Sequence, residues 1–306
     1  MSNSIYCSPT HLKLLVGDAD GKSVKIRKYA ELMLPTGGMI NGIITDEEAM
    51  TRFFAQINND YALGKEPTLL VINNNNIQAK SFEVPPVSDD MVLEFIRREY
   101  SQHSDSDNDN NVFDYTVLAP KGPGGGTQIL AVGAAKDLLA TYRKTLVSAG
   151  LDLKRIDIGL NCQIKLARFL PQLQQGSVIL ALIDGRSLSL TLFENGMYLV
   201  SNRYRLVHEE NDPAWAEEIG GNISSMIQFS KTQKDSAAIT AAFIAGVNEA
   251  LTNSLRFALN YLGIDIRGLD MSGHVHASLH SGAELSSEVP FDAGNYLLNI
   301  GNLLKK

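Results

Sequence analysis

The stretch SVILALIDGRSLSLTLFENGMYLVSNRYR, residues 177–205, predicts three β-strands joined by two tight turns. The turns fall at Asp184-Gly185 and Asn195-Gly196. Both dipeptides, placed between apolar runs, are strong signals for a two-residue hairpin. We therefore predict an antiparallel meander with strands at Val178–Ile183, Leu188–Phe193 and Met197–Arg205.

A similar pattern opens the chain. Short strands are predicted at Ser4–Tyr6 and His11–Gly17, and Ser23–Tyr29 alternates apolar with charged residues. Helices and further strands follow each meander, so the chain follows one plan twice. The repetition predicts an α/β fold made of two related halves, each with a mixed sheet.

The remaining elements follow from periodicity and capping residues. We read Leu34–Ile44 as a linker and Thr45 or Asp46 as the cap of the next helix. Further strands are predicted at 68–73, 77–84, 112–118, 128–133, 153–158, 239–245 and 264–267. Helices are predicted at 46–58, 88–101, 136–148, 163–170, 215–230, 248–262 and 295–304.

The composition excludes several classes of protein. The 306 residues are 44% hydrophobic and carry a net charge of −7, with a pI near 5.4. A mostly disordered chain is excluded, and an acidic chain is not expected to bind nucleic acid. The longest apolar runs, Val178–Ile183 and Ala237–Val247, are too short to span a bilayer, so we expect no direct membrane insertion. The first residues, MSNSIYCSPTHLKLLV, have no basic region followed by a long apolar one, so we expect no secretory signal. The two cysteines, Cys7 and Cys162, are expected to be reduced thiols.

Two motifs resemble ligand-binding loops but lack residues that such loops require. The glycine-rich stretch Lys121–Thr127 lacks the Gly-Lys-Ser/Thr ending of a phosphate loop and is followed by a strand, which favours a hairpin connection. Alternate acids at positions 105, 107 and 109 suggest a calcium loop. Loop positions six and twelve, however, are Asn110 and Thr116 instead of glycine and glutamate, so we expect a solvated loop.

Three histidines, His274, His276 and His280, form a His-x-His-x₃-His pattern with Glu284 nearby. On a strand the first two would share a face, which would suit a metal ion. The segment has the composition of a loop, so a surface cluster is the preferred interpretation and a metal hydrolase stays an alternative. No Gly-x-Ser-x-Gly elbow is present.

Several stretches, taken in order, resemble the actin-like pilus assembly proteins of the PilM type, which are related to FtsA. Leu34-Pro35 and Gly38–Asp46 resemble the LPxGxIxxGxIxD passage that leads into the inserted subdomain of that family. Phe113–Leu118 resembles its dYxVL strand. Ala131–Asp157 resembles its helix-AGL-strand-D passage, and Ala242–Ile266 its strand-G-helix-LGI passage.

The resemblance implies an actin-like, ribonuclease H-like fold of two lobes with an inserted α/β subdomain. The first lobe would comprise residues 1–33 and 119–175, the inserted subdomain residues 34–118, and the second lobe residues 176–306. The resemblance also implies a cytoplasmic protein, peripheral to the inner membrane. Its partners would be the N-terminal peptide of a PilN-type membrane protein and a pilus motor ATPase, and residues 1–175 would supply the walls of the peptide groove.

Many members of that family bind ATP. Carried over to this chain, the nucleotide-binding residues would be Ser8, Thr10, Asp184, Gly185, Arg186, Ser187 and Gly246. No catalytic residue and no metal ligand are assigned. We expect no cofactor, with ATP and magnesium as the alternative.

The chain departs from the family pattern in each phosphate-binding segment. The first turn, Cys7–His11, has neither the aspartate nor the glycine, and its proline removes an amide donor. The second turn, Asp184–Ser187, is a tight hairpin that offers few free amides. Val247 stands where the family has a second glycine near the adenine. We predict a scaffold with weak or absent ATP binding, at most a weak ATPase. An active ATPase with nonstandard loops is the alternative.

Overall fold

The computed structural model describes residues 1–64, 66–103, 110–122, 124–233, 237–278 and 290–305. Their contacts divide the chain into two compact units. Unit 1 comprises Met1–Leu32, Thr68–Val71 and Arg155–Lys306, and unit 2 comprises Met33–Pro67 and Ile72–Lys154. The predicted division into two lobes and an inserted subdomain at 34–118 stays a prediction.

Helices and further strands follow each meander. The strands are β1 (Ser2–Cys7), β2 (His11–Ala19), β3 (Val24–Met33), β4 (Met39–Ile40), β5 (Ile43–Ile44), β6 (Pro67–Ile72), β7 (Gln78–Val84), β8 (Asn111–Ala119), β9 (Thr127–Ala135), β10 (Asp152–Ile158), β11 (Ser177–Asp184), β12 (Ser187–Glu194), β13 (Met197–Arg205), β14 (Ile239–Ala245), β15 (Asp265–Gly268) and β16 (Val275–Ala277). The helices are α1 (Glu47–Tyr61), α2 (Asp89–His103), α3 (Lys136–Ser148), α4 (Gly159–Phe169), α5 (Ala214–Thr232), α6 (Glu249–Ala258) and α7 (Leu297–Leu303).

Two large sheets share one strand order. The first sheet runs β10-β6-β1-β2-β3-β16, and the second runs β15-β14-β11-β12-β13. In both, the first strand of the meander pairs antiparallel with the second and parallel with a later strand, β6 or β14. The predicted plan of two related halves with mixed sheets is therefore confirmed.

The second sheet is covered on one face by α5 and α6. Trp215, Ile219, Ile223 and Met226 are buried at helical spacing along α5 and pack against Leu190 and other apolar residues of β11 and β12. This apolar stripe, which repeats at helical spacing, therefore belongs to the protein core. The core includes the single tryptophan of the chain.

The last helix, α7, is buried along its whole length and packs on α4 and on the first two strands. The side-chain amide of Asn299 donates to the carbonyl oxygens of Ser4 and Lys13, both at 2.9 Å. Because unpaired backbone carbonyls are costly in a core, these bonds specify how α7 sits on the hairpin of β1 and β2.

A buried ion pair lies where β10 passes into α4. Asp157 accepts from Lys165 Nζ at 2.8 Å and from Asn161 Nδ2 at 2.8 Å. Burial by itself would raise the pKa of Asp157, but Lys165 and these hydrogen bonds outweigh it and lower the pKa below its ordinary value. The carboxylate is therefore held in its charged form within unit 1.

Unit 2 contains the small sheet β7-β9-β8 and the two-stranded hairpin of β4 and β5. Helix α2 covers one face of the small sheet, with Ile96 and Tyr100 buried in its core. The hydroxyl of Tyr142 on α3 donates to the carbonyl oxygen of Gly42 at 2.9 Å, which anchors the tip of the β4–β5 hairpin. Asn74 donates to the same oxygen at 3.0 Å.

The predicted elements are present, with several differences. Helix α4 begins at Gly159 instead of Gln163, and the helix predicted over 295–304 is preceded by a 3₁₀ turn and begins as an α-helix at Leu297. The predicted linker Leu34–Ile44 contains the β4–β5 hairpin. The predicted loop around His276 contains β16, which pairs parallel with β3 and thereby satisfies its backbone groups in a sheet. The helix predicted over 248–262 ends as an α-helix at Ala258 and continues as a 3₁₀ turn at Asn260–Leu262.

Candidate functional site

The turn between β1 and β2 uses its own polar groups. The amide of Ser8 donates to the carbonyl oxygen of His11 at 2.8 Å, and the amide of His11 donates to Ser8 Oγ at 3.1 Å. Pro9 has no amide hydrogen. The hydroxyl of Thr10 contacts His11 Nδ1 at 2.9 Å. The hydroxyl of Ser8 and two backbone amides of this turn are therefore engaged within it.

The turn between β11 and β12 is as short as the sequence predicts. Asp184 pairs with Ser187 across the loop residues Gly185 and Arg186. The guanidinium of Arg186 donates to the carbonyl oxygens of Leu206 and Val207, in the segment that follows β13. Arg186 thus ties this segment to the hairpin.

Asp184 is buried and engaged on both carboxylate oxygens. Tyr6 donates its hydroxyl to Oδ2 at 2.5 Å, and Lys13 Nζ lies 3.2 Å from Oδ1. The Lys13 ammonium also lies 3.9 Å from a carboxylate oxygen of Glu31. The side chains of Lys13 and Asp184 are only 8% and 10% exposed. This carboxylate therefore has a cation and a hydroxyl donor supplied by the protein itself.

Arg203 adds a second positive charge to this cluster. Burial lowers the pKa of its guanidinium, whereas the neighbouring Asp184 and Tyr6 act in the opposite direction. An arginine stays charged at any physiological pH. The negative charge of Asp184 is consequently balanced by two basic side chains, Lys13 and Arg203.

Gly246 lies against β11, where the parallel pairing of β11 and β14 ends. Its φ is +87°, and a Cβ atom built on it would lie 1.8 Å from the carbonyl oxygen of Ile183. No other residue type could occupy this position without moving the backbone. Val247 packs against the core beneath the second sheet.

The structure brings some of the predicted nucleotide residues together. Asp184, Gly185 and Gly246 lie at the ends of the neighbouring strands β11 and β14. Ser8 and Thr10 make the contacts described above within their own turn. Their role in nucleotide binding stays a prediction. As arranged, the groups around Asp184 fit an internal ion pair better than a magnesium–phosphate complex, because the carboxylate and the amides of Ser8 and His11 already have partners.

Sequence reasoning missed Tyr6, Lys13, Glu31 and Arg203. A signal was present for Lys13, which interrupts the apolar run LKLLV in the middle of a predicted strand. Lysine is almost never fully buried unless it is paired. The partner could not be inferred, because Asp184 lies 171 positions further along the chain.

The glycine-rich stretch is the hairpin connection that the sequence favours, joining β8 to β9. The carboxylate of Glu83 accepts hydrogen bonds from the amides of Gly124, at 2.9 Å, and Gly126. A Cβ atom on Gly124 would lie 2.9 Å from a carboxylate oxygen of Glu83. A Cβ atom on Gly126 would lie 2.3 Å from the carbonyl oxygen of Val84. The glycines therefore bind an anion that the protein itself provides.

The described residues of the other candidate sites are not arranged to bind a ligand. His274 stacks edge-on against Phe169, and His276 is exposed on β16. His280, Glu284 and the acids at 105, 107 and 109 lie outside the described residues. Among the residues that the structure describes, no three His, Cys, Asp or Glu side chains are grouped to hold a metal ion. Cys7 and Cys162 are both free and buried.

Among the residues that the structure describes, no helix is both long and apolar enough to cross a bilayer.

Each of the two large sheets contains a three-stranded meander, and the first turn of each meander lies near Asp184. This arrangement is an actin-like fold. The chain is similar to the structure of a PilM–PilN type IV pilus biogenesis complex, with a TM-score of 0.78, 14% identity, and coverage of 99% of this chain and 97% of that one. It is also similar to the cytoplasmic domain of EpsL, an inner membrane component of the type II secretion system of Vibrio cholerae, with a TM-score of 0.52, 11% identity, and coverage of 100% and 95%.

A third similar structure, from Bacteroides thetaiotaomicron, has an actin-like ATPase fold and unknown function. Its TM-score is 0.51 at 10% identity, with 90% of each chain covered. No protein-family model and no curated protein matches the sequence. At these identities the similarity establishes the fold.

Proposed function

We propose that this chain is an adaptor of a type IV pilus or a related secretion assembly. It binds the cytoplasmic N-terminal peptide of a PilN-type inner-membrane protein and is held at the membrane by that partner. The observation that supports this most is the similarity to the PilM–PilN complex over nearly the full length of both chains. The EpsL domain, from a related secretion system, supports the same setting.

We propose that this adaptor binds ATP weakly or not at all. The carboxylate best placed for a magnesium shell, Asp184, is hydrogen-bonded by Tyr6 and paired with Lys13. In the turn between β1 and β2, the hydroxyl of Ser8 and the amides of Ser8 and His11 form hydrogen bonds within the turn. A nucleotide would have to displace these contacts, and the cost would reduce its affinity.

Residues 1–175 supply the peptide surface in this proposal, and unit 2 offers a specific place to test. Ile40 and Ile43 face each other across the β4–β5 hairpin and are 56% and 44% exposed. Their neighbours Met39 and Ile44 are buried, so the hairpin is anchored while the outer pair stays available. Tyr142 fixes the tip through Gly42. A rigid apolar pair suits contact with an apolar side chain of an extended peptide.

The binding test uses the full chain and a fluorescent peptide that copies the cytoplasmic N-terminus of a PilN-type protein from the same cell. Fluorescence anisotropy should detect saturable binding. We expect the double variant Ile40→Asp, Ile43→Asp to weaken binding by at least about tenfold, because it removes two apolar contacts. Phe257→Asp, at an exposed residue outside 1–175, is the matched control and should bind like the wild type. No saturable binding by the wild type would refute the adaptor proposal.

The nucleotide test is a calorimetric titration of the wild-type chain with ATP and magnesium. We expect no binding heat and no rise in melting temperature at millimolar ATP. Micromolar binding would instead support the alternative, an active ATPase with nonstandard loops. In that case Asp184→Asn should abolish hydrolysis.

A further inference from the structure

The position of Lys13 calls for a physical reason. It lies in the middle of β2 between apolar neighbours, and its side chain is 8% exposed. A buried ammonium is expensive unless carboxylates compensate it. Two carboxylates do so, Asp184 at 3.2 Å and Glu31 at 3.9 Å. The ammonium thus lies between two carboxylates, where a small metal ion could otherwise bind, and Arg203 adds further positive charge near Asp184.

The same cluster joins the two large sheets of unit 1. Asp184 ends β11 of the second sheet, whereas Lys13 and Tyr6 lie on β2 and β1 of the first. Tyr6 and Lys13 are register partners, so both of Asp184's contacts come from one hairpin. Asn299 on α7 binds the carbonyl oxygen of Lys13 and fixes the backbone of that hairpin. The first sheet therefore presents Tyr6 and Lys13 to Asp184 from a hairpin whose backbone is already held in place.

We propose that the Lys13 ammonium is a built-in cation that takes the place of a divalent metal ion beside Asp184 and keeps the two large sheets of unit 1 together without a nucleotide. Binding and release of a ligand are then not needed to set the arrangement of the sheets. This inference does not depend on the proposed peptide partner, because it concerns contacts within unit 1 alone.

The test is hydrogen–deuterium exchange of the full chain, followed by mass spectrometry of the peptides that contain the β1–β2 and β11–β12 turns. Lys13→Met removes the charge and keeps much of the side-chain length. Lys25→Met, at an exposed lysine on β3 of the same sheet, is the matched control. We expect the turn peptides of Lys13→Met to exchange about tenfold faster than those of the wild type, and the control to be unchanged.

A divalent cation separates a charge role from simple packing. Millimolar Mn²⁺ should restore slow exchange in Lys13→Met, because the substitution removes the cation that lies between Asp184 and Glu31, and should not change the wild type. Asp184→Asn should also exchange faster, but Mn²⁺ should not restore it, because the carboxylate is gone. This second variant decides alone if Lys13→Met does not fold.

Two results would overturn the proposal. The first is wild-type exchange in the turn peptides of Lys13→Met or Asp184→Asn, which would show that the ion pair does not hold the sheets. The second is fast exchange in Lys13→Met that Mn²⁺ leaves unchanged, which would reduce Lys13 to a packing residue.

Discussion

Substitution of Gly246 by alanine should destabilise the protein without any nucleotide present. Two separate costs contribute. An L-residue with a left-handed backbone costs about 1–2 kcal/mol, and the φ of Gly246 is +87°. The new Cβ would also lie 1.8 Å from the carbonyl oxygen of Ile183, so β11 or β14 must shift. Overpacking of this kind costs about 1–3 kcal/mol.

The expected loss is therefore about 2–5 kcal/mol, against a total stability of about 5–15 kcal/mol for ordinary domains. Urea unfolding followed by tryptophan fluorescence is the assay. Trp215 is the single tryptophan and packs in the same core as Ile183, so it reports on the affected sheet directly.

Gly263→Ala is the matched control for this experiment. Gly263 also has a positive φ, +69°, but a Cβ atom there would meet nothing within 4 Å. Its substitution should cost only the conformational part, about 1–2 kcal/mol. Equal losses in the two variants would refute the reasoning that close packing against Ile183 requires glycine at position 246.

Three further predictions concern other buried groups. The pKa of Asp157 is lower in the folded than in the unfolded protein, so its contribution to stability is present above about pH 4 and is lost as the pH falls; melting curves of wild type and Asp157→Asn should differ at pH 7 and converge in acid. Burial raises the pKa of Cys7 to about 12, and it also raises the pKa of Cys162 well above its ordinary value. A disulfide reagent at neutral pH should therefore label neither thiol until urea is added, and rapid labelling of the native protein would contradict this. Glu83→Gln should lose about 1–3 kcal/mol of loop-anchoring energy, seen as faster deuterium exchange in residues 120–128, while the exchange of α5 stays unchanged.

The local elements could be predicted because their causes are local. Asn195 and Gly196 both have positive φ and form the centre of their hairpin, as predicted. In the other hairpin Gly185 supplies the positive φ, and the central residues are Gly185 and Arg186, one position later than the predicted Asp184-Gly185. Asp46, one of the two predicted caps, accepts a hydrogen bond from the backbone amide of Ala49, three residues later. Asn248 caps its helix in the same way through the amide of Leu251.

Elements whose stability comes from distant partners were harder to predict. The segment Val275–Ala277 has no strand signal of its own and becomes β16 only by pairing with Val24–Ile26. The hairpin Met39–Ile44 is similarly short, and Tyr142 and Asn74 anchor its tip. Propensity is weak for such pieces, since tertiary contacts decide their conformation.

The candidate site shows the same division. The sequence pointed to Asp184 and Gly246, and the structure places both at the ends of adjacent strands. It did not indicate that Lys13 and Tyr6 would bind the carboxylate of Asp184. Nor did it indicate that the carbonyl oxygen of Ile183 would leave no room for a Cβ atom at position 246. Those facts depend on which residues meet across the sheets.

The sequence by itself determined the α/β class, the two meanders and the repeated plan, because side-chain period, turn chemistry and capping act over a few residues. Only the tertiary structure decided that β6, from the stretch 34–118, pairs with β1, and that the ammonium of Lys13 meets Asp184. These contacts join positions that are 65 and 171 residues apart. No local pattern encodes such a meeting, since it follows from the order of strands in the sheets and from how the sheets pack.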